Sequence, residues 1–419
     1  MSAYVIGGGR PLSGSVRVHG AKNSVLPILA ATILSGKESE IHNCPRLSDV
    51  DSSFRILRRL GCAVRREGDM VHIDSGPMAH TDIPDSLMRE MRSSVVFLGA
   101  IVGRFGRAMM SFPGGCELGP RPIDLHLEGL RRLGVVIEEL PGGNLRCHTD
   151  GLAGTEINLA FPSVGATENI MLAASIAQGV TRINNAACEP EIEDLQNFLC
   201  AMGGRVTGAG TSTVLIEGSQ NFRSAKHSII PDRIVASTLM ACAAVAGGDV
   251  TLEDIEPKHI GTVISTLCEA GCEIDIRDNA LRIRRTGRLR SMRPMRTLPY
   301  PGFPTDAQAP IMAVAAFAEG TTVFVENMFD SRYRHVGELA RMGADIKVEG
   351  KVAVVCGVPK LYGAPVCSTD LRGGAALVAA GLGAEGETVI TGLEHIDRGY
   401  ECLQTTLSGL GADIVRTED

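Results

Sequence analysis

Residues 57–64 read LRRLGCAV, and the same pattern of an apolar helix end, a glycine and a strand start recurs five more times. The further copies are LRRLGVVI at 130–137, LCAMGGRV at 199–206, LCEAGCEI at 267–274, LARMGADI at 339–346 and LSGLGADI at 407–414. Their glycines, at 61, 134, 203, 271, 343 and 411, are separated by 73, 69, 68, 72 and 68 residues. Self-similarity at a nearly fixed spacing indicates a repeat architecture, so we predict six repeats of about seventy residues.

A second series of glycines lies upstream of the first, one in each repeat. Each ends an Ala-rich apolar segment, such as SVLPILAATILSG at 24–36, and the series is Gly36, Gly106, Gly179, Gly247, Gly320 and Gly386. Because glycine readily takes the left-handed conformation that closes a helix, we predict a buried helix before each of them. One repeat cannot bury its apolar faces alone, which favours an α/β protein with two domains of three repeats.

The predicted domain boundary lies near the middle of the chain, in SAKHSIIPDRIV at 224–235. Residues 1–20 precede the first buried helix, and their pairing with the C-terminal half would make the chain cross twice between domains. We therefore predict one domain from residues 1–20 and 231–419 and another from residues 21–230. Two crossings would form a hinge.

The composition limits the classes of partner. The chain has 419 residues and a net charge of -7, from 41 Lys and Arg against 48 Asp and Glu, which argues against non-specific binding to nucleic acid or an anionic membrane. No export signal or membrane-spanning segment is recognisable, and twelve cysteines occur without a Cys-x-x-Cys pair, so we expect a reducing, cytoplasmic location. Cys268 and Cys272 are interpreted as packing residues, and no metal site is predicted.

The position fourteen residues before each glycine of the second series has an unusual composition. Four of the six residues are basic, and the set is Lys22, Arg92, Gly165, Arg233, Asp306 and Arg372. At a helix N-terminus unpaired N–H groups attract anions, whereas a cation opposes the helix dipole. We therefore predict a cleft for a multiply anionic ligand. For Asp232 and Asp370, helix capping is at least as good an interpretation as catalysis.

One cysteine lies in an unusual loop. Cys116 has Gly114, Gly115 and Gly119 around it, and the two glycine series are 28 residues apart here, against 23 to 25 in the other repeats. The extra residues fall in the loop that carries the thiol, which predicts a mobile lid with a reactive cysteine. The neighbouring Arg121 would favour the thiolate.

Seven short motifs, in order along almost the whole chain, resemble those of the enolpyruvyl transferases. They are GAKN at 20–23, PGGC at 113–116, RPIDLH at 121–126, SVGAT at 163–167, FPTD at 303–306, TDLR at 369–372 and HIDRGY at 395–400. The resemblance is to the members whose acceptor is UDP-N-acetylglucosamine. It implies a two-domain inside-out α/β barrel and no metal or redox cofactor.

The resemblance also implies a reaction. The enolpyruvyl group of phosphoenolpyruvate would pass to the 3-hydroxyl of UDP-N-acetylglucosamine through a tetrahedral intermediate, with release of phosphate, as the first committed step of peptidoglycan precursor synthesis. The expected partners are these two small molecules, with neither nucleic acid nor membrane, and the protein is expected to be a monomer or weak oligomer. In this family the epoxide fosfomycin alkylates the cysteine that matches Cys116.

Site residues follow from the matching motifs. Catalytic roles fall to Cys116, Asp306, Lys22 and Arg398, with Asp306 as the base and Cys116 as the proton donor to C3 of phosphoenolpyruvate. Phosphoenolpyruvate would be held by Lys22, Asn23, Arg121 and Arg398. UDP-N-acetylglucosamine would be held by Asn23, Arg92, Arg121, Pro122, Ile123, Asp124, Leu125, His126, Ser163, Val164, Gly165, Asp306 and Met328, with Phe329 as a further contact. Asp370 and Arg372 would support these residues.

Several alternatives stay open. Asp306 could cap its helix, although Thr305 could do so instead; His126 could be an ordinary helix-surface residue; and Arg398 could pair with Asp397. Two other functions also compete with the first. One is transfer to shikimate 3-phosphate, against which the Cys116 loop argues, and the other is a catalytically silent protein that binds UDP-sugars.

Overall fold

The computed structural model describes residues 2–114 and 123–418. Within these ranges the chain forms twenty-three strands and fourteen α-helices. The α-helices are α1 (Lys22–Ala31), α2 (Ser48–Leu60), α3 (Asp85–Met88), α4 (Phe97–Phe105), α5 (Asp124–Arg132), α6 (Val164–Ala174), α7 (Pro190–Ala201), α8 (Arg233–Ala246), α9 (Gly261–Glu269), α10 (Thr305–Ala316), α11 (Val336–Arg341), α12 (Leu371–Gly383), α13 (Leu393–Ile396) and α14 (Leu403–Gly409). Short 3-10 helices cover Thr32–Ser35, Arg92–Val96, Pro257–Ile260 and Arg332–His335.

The strands are short, and most have five residues or fewer. They are β1 (Ala3–Gly7), β2 (Leu12–Arg17), β3 (Glu38–His42), β4 (Ala63–Glu67), β5 (Met70–Asp74), β6 (Arg107–Ser111), β7 (Val136–Leu140), β8 (Asn144–His148), β9 (Glu156–Asn158), β10 (Val180–Asn184), β11 (Arg205–Thr207), β12 (Thr213–Glu217), β13 (Lys226–Ser228), β14 (Gly248–Glu253), β15 (Glu273–Arg277), β16 (Ala280–Arg285), β17 (Met295–Arg296), β18 (Thr321–Val325), β19 (Asp345–Glu349), β20 (Val352–Cys356), β21 (Pro365–Cys367), β22 (Glu387–Thr391) and β23 (Asp413–Thr417).

The first unit consists of residues 2–19 and 231–418. Its three sheets have the strand orders β21-β22-β1-β23, β15-β16-β14-β2 and β17-β18-β20-β19. Strand β1 pairs antiparallel with β22 and β23, and β2 pairs parallel with β14, so the first strands of the chain extend sheets of the C-terminal half. Helices α8, α10 and α12 contact one another within a single apolar core.

The second unit consists of residues 20–114 and 123–230. Its sheets have the orders β13-β3-β5-β4, β6-β8-β7 and β11-β12-β10-β9. Helices α1, α4 and α6 contact one another and lie in a second apolar core, separate from that of the first unit. Helices and sheets share one core in each unit, which confirms the predicted α/β class.

Both predicted helix types are observed. Helix α10 is buried at every residue from 307 to 316, because its sequence is apolar nearly all round. Helix α2 is amphipathic: Val50, Phe54 and Leu57 are buried, whereas Arg55 is exposed. No helix in the described ranges is long and apolar enough to cross a membrane.

The glycines of both series have the predicted positive φ, although Gly247, with ψ of 176°, lies outside the left-handed helical region. All twelve have positive φ, from +61° at Gly36 to +103° at Gly320, a region that costs glycine little. Three helices end earlier than predicted, several residues before their glycines: Ala174 before Gly179, Ala316 before Gly320 and Gly383 before Gly386. In these three repeats the chain turns before the next strand, and the glycine supplies the positive φ within that turn.

Candidate functional site

The six equivalent positions all lie at the start of a helix. Each is the first or second residue of its element: Lys22 in α1, Arg92 in the 3-10 helix that leads into α4, Gly165 in α6, Arg233 in α8, Asp306 in α10 and Arg372 in α12. The repeat spacing therefore predicted correctly that these six residues lie at helix starts.

In the first unit, the Asp306 carboxylate lies between two buried arginines. Arg332 Nη2 is 2.5 Å from Asp306 Oδ1, and Arg372 Nη2 is 3.5 Å from Oδ2. The aspartate side chain stays 28% exposed. Burial alone would raise the pKa of Asp306, but Arg372, Arg332 and Arg233 outweigh it and hold the pKa well below its usual range. An ionised carboxylate therefore stands at the head of α10.

Arg332 is a site residue that the sequence did not reveal. It is 1% exposed and begins the 3-10 helix Arg332–His335. Its Nε donates to the Thr305 carbonyl at 3.2 Å, and its Nη1 lies 3.9 Å from Asp370 Oδ1. No repeat position marks it. The nearest signal is the segment DSRYRH at 330–335, which does not distinguish Arg332 from the exposed Arg334.

Arg372 is braced by an aromatic ring. Its guanidinium carbon lies 5.4 Å from the centroid of Tyr400, whose hydroxyl is 2.9 Å from Thr238 Oγ1. Burial alone would lower the pKa of Arg372, but Tyr400 and Asp306 outweigh it and raise the pKa. Arg372 Nη1 is buried and has no hydrogen-bond partner among the described residues. A buried donor of this kind suits an anionic ligand.

Asp232 and Asp370 are helix caps, as one interpretation of the sequence had it. Asp232 Oδ1 accepts from the N–H groups of the second and third residues of α8 at 2.8 and 3.0 Å. Asp370 Oδ1 accepts from the corresponding N–H groups of α12 at 3.0 and 3.1 Å. Of the three interior helices of the first unit, α8, α10 and α12, two therefore have a carboxylate cap.

Asp306 does not cap its helix. Pro304 occupies the N-cap of α10, and no side chain caps it. The suggestion that Thr305 could cap instead is wrong, because the Thr305 hydroxyl donates to Glu326 Oε2 at 3.0 Å. The Asp306 carboxylate thus faces the two arginines rather than the helix backbone.

The remaining predicted residues of the first unit lie after β18 and α13. The N–H group of Met328 donates to Glu326 Oε1 at 2.8 Å. Arg398 is half-buried just beyond α13. Asp397 pairs with Arg416, at 2.8 Å between Oδ2 and Nη2, so the alternative of an Asp397–Arg398 pair is wrong.

In the second unit, Lys22 pairs with a buried carboxylate. Its Nζ lies 2.6 Å from Asp49 Oδ2, and the two side chains are 10% and 3% exposed. Lys22 begins α1, where a cation opposes the helix dipole, and the negative charge of Asp49 offsets this cost. Asp49 is thus one anionic partner of Lys22, and the binding of a ligand anion at Lys22 stays a prediction. Asn23, the next residue, is half-buried.

Gly165 and His126 are brought together at the start of α6. A Cβ on Gly165 would lie 3.0 Å from His126 Cε1, so the missing side chain lets the imidazole approach closely. His126 is 8% exposed and its Nδ1 lies 3.1 Å from Asn169 Nδ2, so the helix-surface interpretation is wrong. Ser163 Oγ caps α6 by accepting from the Ala166 N–H at 3.4 Å.

The other predicted acceptor contacts of the second unit lie at the starts of α5, α6 and the 3-10 helix that leads into α4. Arg92 Nη1 donates to the Pro113 carbonyl at 3.4 Å. Along the start of α5, Ile123 is buried, Leu125 half-buried and Asp124 exposed, and Val164 begins α6 half-buried. Cys116, Arg121 and Pro122 lie outside the described residues.

Helix α6 also carries a buried acid that the sequence did not reveal. Glu168 is 6% exposed, and burial, followed by the charges of Glu191 and Glu189, raises its pKa well above the usual range. A carboxyl group that keeps its proton can donate a hydrogen bond.

The two cysteines interpreted as packing residues differ. Cys272 is buried, and burial raises the pKa of its thiol to about 12. Cys268 is exposed, because it follows the buried Leu267 on α9 and points away from the core. Among the described residues, no group of three His, Cys, Asp or Glu could hold a metal ion.

Known proteins are similar in sequence to this chain over nearly its whole length. A family model described as EPSP synthase (3-phosphoshikimate 1-carboxyvinyltransferase) matches residues 6–407. UDP-N-acetylglucosamine 1-carboxyvinyltransferase 2 of Caldanaerobacter subterraneus is 55% identical over 99% of this chain and 100% of that protein. The UDP-N-acetylglucosamine 1-carboxyvinyltransferase of Coxiella burnetii is 45% identical over 99% of this chain and 96% of that protein.

Solved structures agree with the sequence matches. The enolpyruvyl transferase NikO from Streptomyces tendae has a TM-score of 0.89 at 25% identity and covers 99% of both chains. EPSP synthase from Acinetobacter baumannii has a TM-score of 0.76 at 20% identity over 100% of both chains, which shows the fold alone. Because the family model covers most of the chain and relatives are 45% to 55% identical over almost all of it, the chain belongs to the EPSP synthase family of enolpyruvyl transferases.

Proposed function

We propose that the chain transfers the enolpyruvyl group of phosphoenolpyruvate to the 3-hydroxyl of UDP-N-acetylglucosamine, with release of phosphate, in peptidoglycan precursor synthesis. Relatives named for this acceptor are 45% to 55% identical, whereas the EPSP synthase of the same fold is 20% identical. Within the site, the observation that carries the proposal is the ionised Asp306 carboxylate held by Arg332 and Arg372 at the start of α10.

The proposed reaction is an addition followed by an elimination. In the addition, the 3-hydroxyl oxygen bonds to C2 of phosphoenolpyruvate, Asp306 accepts the hydroxyl proton, and the Cys116 thiol donates a proton to C3. In the elimination, the bond from C2 to the phosphate oxygen breaks and C3 loses a proton, which restores the double bond. Asp306 suits the first proton transfer because its carboxylate is ionised and partly exposed.

The remaining roles concern charge. Lys22, Arg121 and Arg398 would hold the phosphate and carboxylate of phosphoenolpyruvate, and the buried Nη1 of Arg372 would donate to the developing negative charge. The diphosphate of the acceptor would lie on the N–H groups at the start of α6, beside Ser163. A neutral serine caps this helix and its first turn contains no acidic residue, which supports that placement.

We propose that the two domains supply different residues of the site. Residues 1–20 and 231–419 would supply the base and Arg398, and residues 21–230 would supply the Cys116 loop and the UDP-sugar contacts. We also propose the inside-out arrangement of six repeats. Three sheets and three mutually contacting interior helices in each unit support it.

We further propose a cytoplasmic monomer or weak oligomer that needs no partner beyond its two small-molecule substrates. The eleven described cysteines all have free thiols, which supports a reducing compartment.

The deciding experiment mixes the protein with phosphoenolpyruvate and either UDP-N-acetylglucosamine or shikimate 3-phosphate, and measures release of phosphate. We expect release only with the UDP-sugar. Phosphate release with shikimate 3-phosphate but not with the UDP-sugar would contradict the proposed acceptor. Binding of the UDP-sugar without phosphate release would identify a catalytically silent protein that binds UDP-sugars.

A second experiment addresses Cys116. Fosfomycin should form one thioether per chain by opening of its epoxide, faster with UDP-N-acetylglucosamine present, and none in Cys116→Ser. Peptide mass spectrometry would locate the adduct. Modification at another cysteine would contradict the role proposed for this loop.

A further inference from the structure

Glu326 is a buried carboxylate at the end of β18 that no motif singled out. It is 1% exposed. Four groups donate hydrogen bonds to it: Thr297 Oγ1 at 2.9 Å, the N–H groups of Met328 and Phe329 at 2.8 and 3.1 Å, and Thr305 Oγ1 at 3.0 Å. Among the described residues no Lys or Arg forms an ion pair with it, so these hydrogen bonds must offset the burial of its polar atoms.

The two oxygens of Glu326 hold different parts of the site. Oε2 accepts from Thr305, the residue before Asp306, and the Thr305 carbonyl in turn accepts from Arg332 at 3.2 Å. This oxygen therefore fixes the start of α10, where the base and one of its arginines meet.

The other oxygen, Oε1, closes the turn after β18. It accepts from the N–H groups of Met328 and Phe329 and from the hydroxyl of Thr297. The same hydroxyl accepts from the Asn327 N–H at 2.8 Å, and the Asn327 side chain donates to the Thr297 carbonyl at 3.2 Å. Oε1 and Thr297 together thus fix the backbone that carries the proposed acceptor contact Met328.

Only an acid can accept hydrogen bonds at both of these oxygens. A glutamine has the same shape, but it offers one acceptor oxygen and an amide nitrogen that can only donate. An apolar side chain would leave the part-buried N–H groups of Met328 and Phe329 without this acceptor, at a cost of up to about 1–3 kcal/mol for each donor. Packing alone therefore does not account for an acid here.

We propose that Glu326 is a positioning residue that aligns the base with the bound acceptor, Oε2 by holding Asp306 through Thr305 and Oε1 by holding the 327–329 turn. The inference rests on the proposed function, because it assumes that Asp306 is the base and that Met328 contacts the UDP-sugar. It predicts that the two oxygens affect different kinetic constants.

The test uses variants that remove one side of the network at a time. Thr305→Val should lower kcat by about tenfold, since one hydrogen bond to a charged group contributes about 1.5 kcal/mol, and leave the KM for UDP-N-acetylglucosamine within about twofold. Thr297→Val should raise that KM by about tenfold and leave kcat within about twofold. Glu326→Gln should show mainly the kcat effect, because its one acceptor oxygen can still serve the N–H groups of Met328 and Phe329.

Matched controls come from the same unit. Glu338→Gln removes a carboxylate that accepts from the Cys367 N–H at 2.9 Å, and Thr322→Val removes a hydroxyl that accepts from the Met292 N–H at 3.1 Å. Neither contact involves a site residue, so both variants should keep the parent's kcat and KM even where their melting temperatures fall.

The outcomes are distinguishable. If both threonine variants change the same constant, or change neither, Glu326 has only a structural role and the inference fails, whether or not Glu326→Gln folds. If the parent itself releases no phosphate with UDP-N-acetylglucosamine, the proposed function fails instead. A kcat change in Thr305→Val with a KM change in Thr297→Val supports the inference.

Discussion

The helix starts of the two units neutralise their charges in different ways. In the first unit, charged side chains from several elements meet on one partly exposed carboxylate, since Arg332 and Arg372 both contact Asp306. In the second unit, Lys22 is matched by the buried Asp49, and the start of α6 carries a neutral serine cap. Equivalent repeat positions thus belong to a network of several charged side chains in the first unit. In the second unit, Lys22 at this position forms an ion pair with Asp49.

Under the proposed function, this difference would separate proton transfer in one unit from anion recognition in the other. The arginines around Asp306 keep its carboxylate ionised, as the proposed base requires, although the same cations weaken it as a proton acceptor. An anion site needs donors and positive charge without a competing exposed carboxylate, which the start of α6 provides. Burial, followed by the charges of Glu191 and Glu189, raises the pKa of Glu168 on the same helix and so disfavours a further negative charge there.

The largest expected effect comes from the base. Asp306→Asn keeps the size of the side chain but removes its ability to accept a proton. We expect kcat to fall by about 10²- to 10⁴-fold, the range typical of a general base, while UDP-N-acetylglucosamine still binds. Phosphate release and calorimetric binding would measure the two quantities.

The matched control for this change is Asp249→Asn. It also removes an aspartate that pairs with an arginine in the first unit, in this case Arg282 on the surface. It should leave kcat unchanged. If Asp306→Asn kept its turnover within a few-fold of the parent, Asp306 would not be the base, and the first unit would not differ from the second by supplying one.

The second prediction concerns the buried pair in the second unit. Asp49→Asn should destabilise the protein by about 3 kcal/mol, because it leaves a buried ammonium group without this carboxylate. An added anion should compensate, so inorganic phosphate should raise the melting temperature of the variant more than that of the parent. Differential scanning fluorimetry would measure both shifts.

Asp51→Asn is the control for that prediction. Asp51 lies in the same first turn of α2 but is exposed, so its loss should change the melting temperature little. Equal phosphate effects in the parent and in Asp49→Asn would show that Asp49 does not occupy the place of a bound anion.

The third prediction is a shift in pH dependence in the first unit. Arg332 is one of the cations that hold the pKa of Asp306 below its usual range, so in Arg332→Gln this pKa should rise. The base works only when ionised, so the acid limb of kcat/KM should move to higher pH. Arg332→Lys keeps the charge and should move the limb less. Coincident acid limbs in the parent and both variants would contradict the role of Arg332.

Much of this site could be predicted from the sequence because it recurs at a fixed spacing. The spacing located Lys22, Asp306 and Arg372 at helix starts, and glycine chemistry indicated the turns that follow the helices. Such features are local, since a helix start depends on a few neighbouring residues and on the periodicity of the apolar face.

The residues that the sequence did not reveal act through contacts between distant segments. Arg332 reaches Asp306 from 26 positions away, and Asp49 reaches Lys22 from a different helix. Glu326 gathers donors from three segments. No local pattern marks such residues, because a buried charge gains its partners only when the tertiary structure brings them together.

The smallest expected effect tests whether the start of α6 is an anion site or only a capped helix. Ser163→Ala removes a cap whose contact is long, at 3.4 Å, so the loss of stability should be at the low end of about 0.5–2 kcal/mol. Ser163→Asp should cap at least as well and favour the helix dipole, so stability should be kept or increase. If the diphosphate of the acceptor binds here, however, the added negative charge should weaken binding of UDP-N-acetylglucosamine. Stability and affinity should therefore change in opposite directions in Ser163→Asp, as measured by thermal melting and calorimetry. Unchanged affinity would mean that the acceptor does not bind at this helix start, and the contrast between the units would then rest on Lys22 and Asp49 alone.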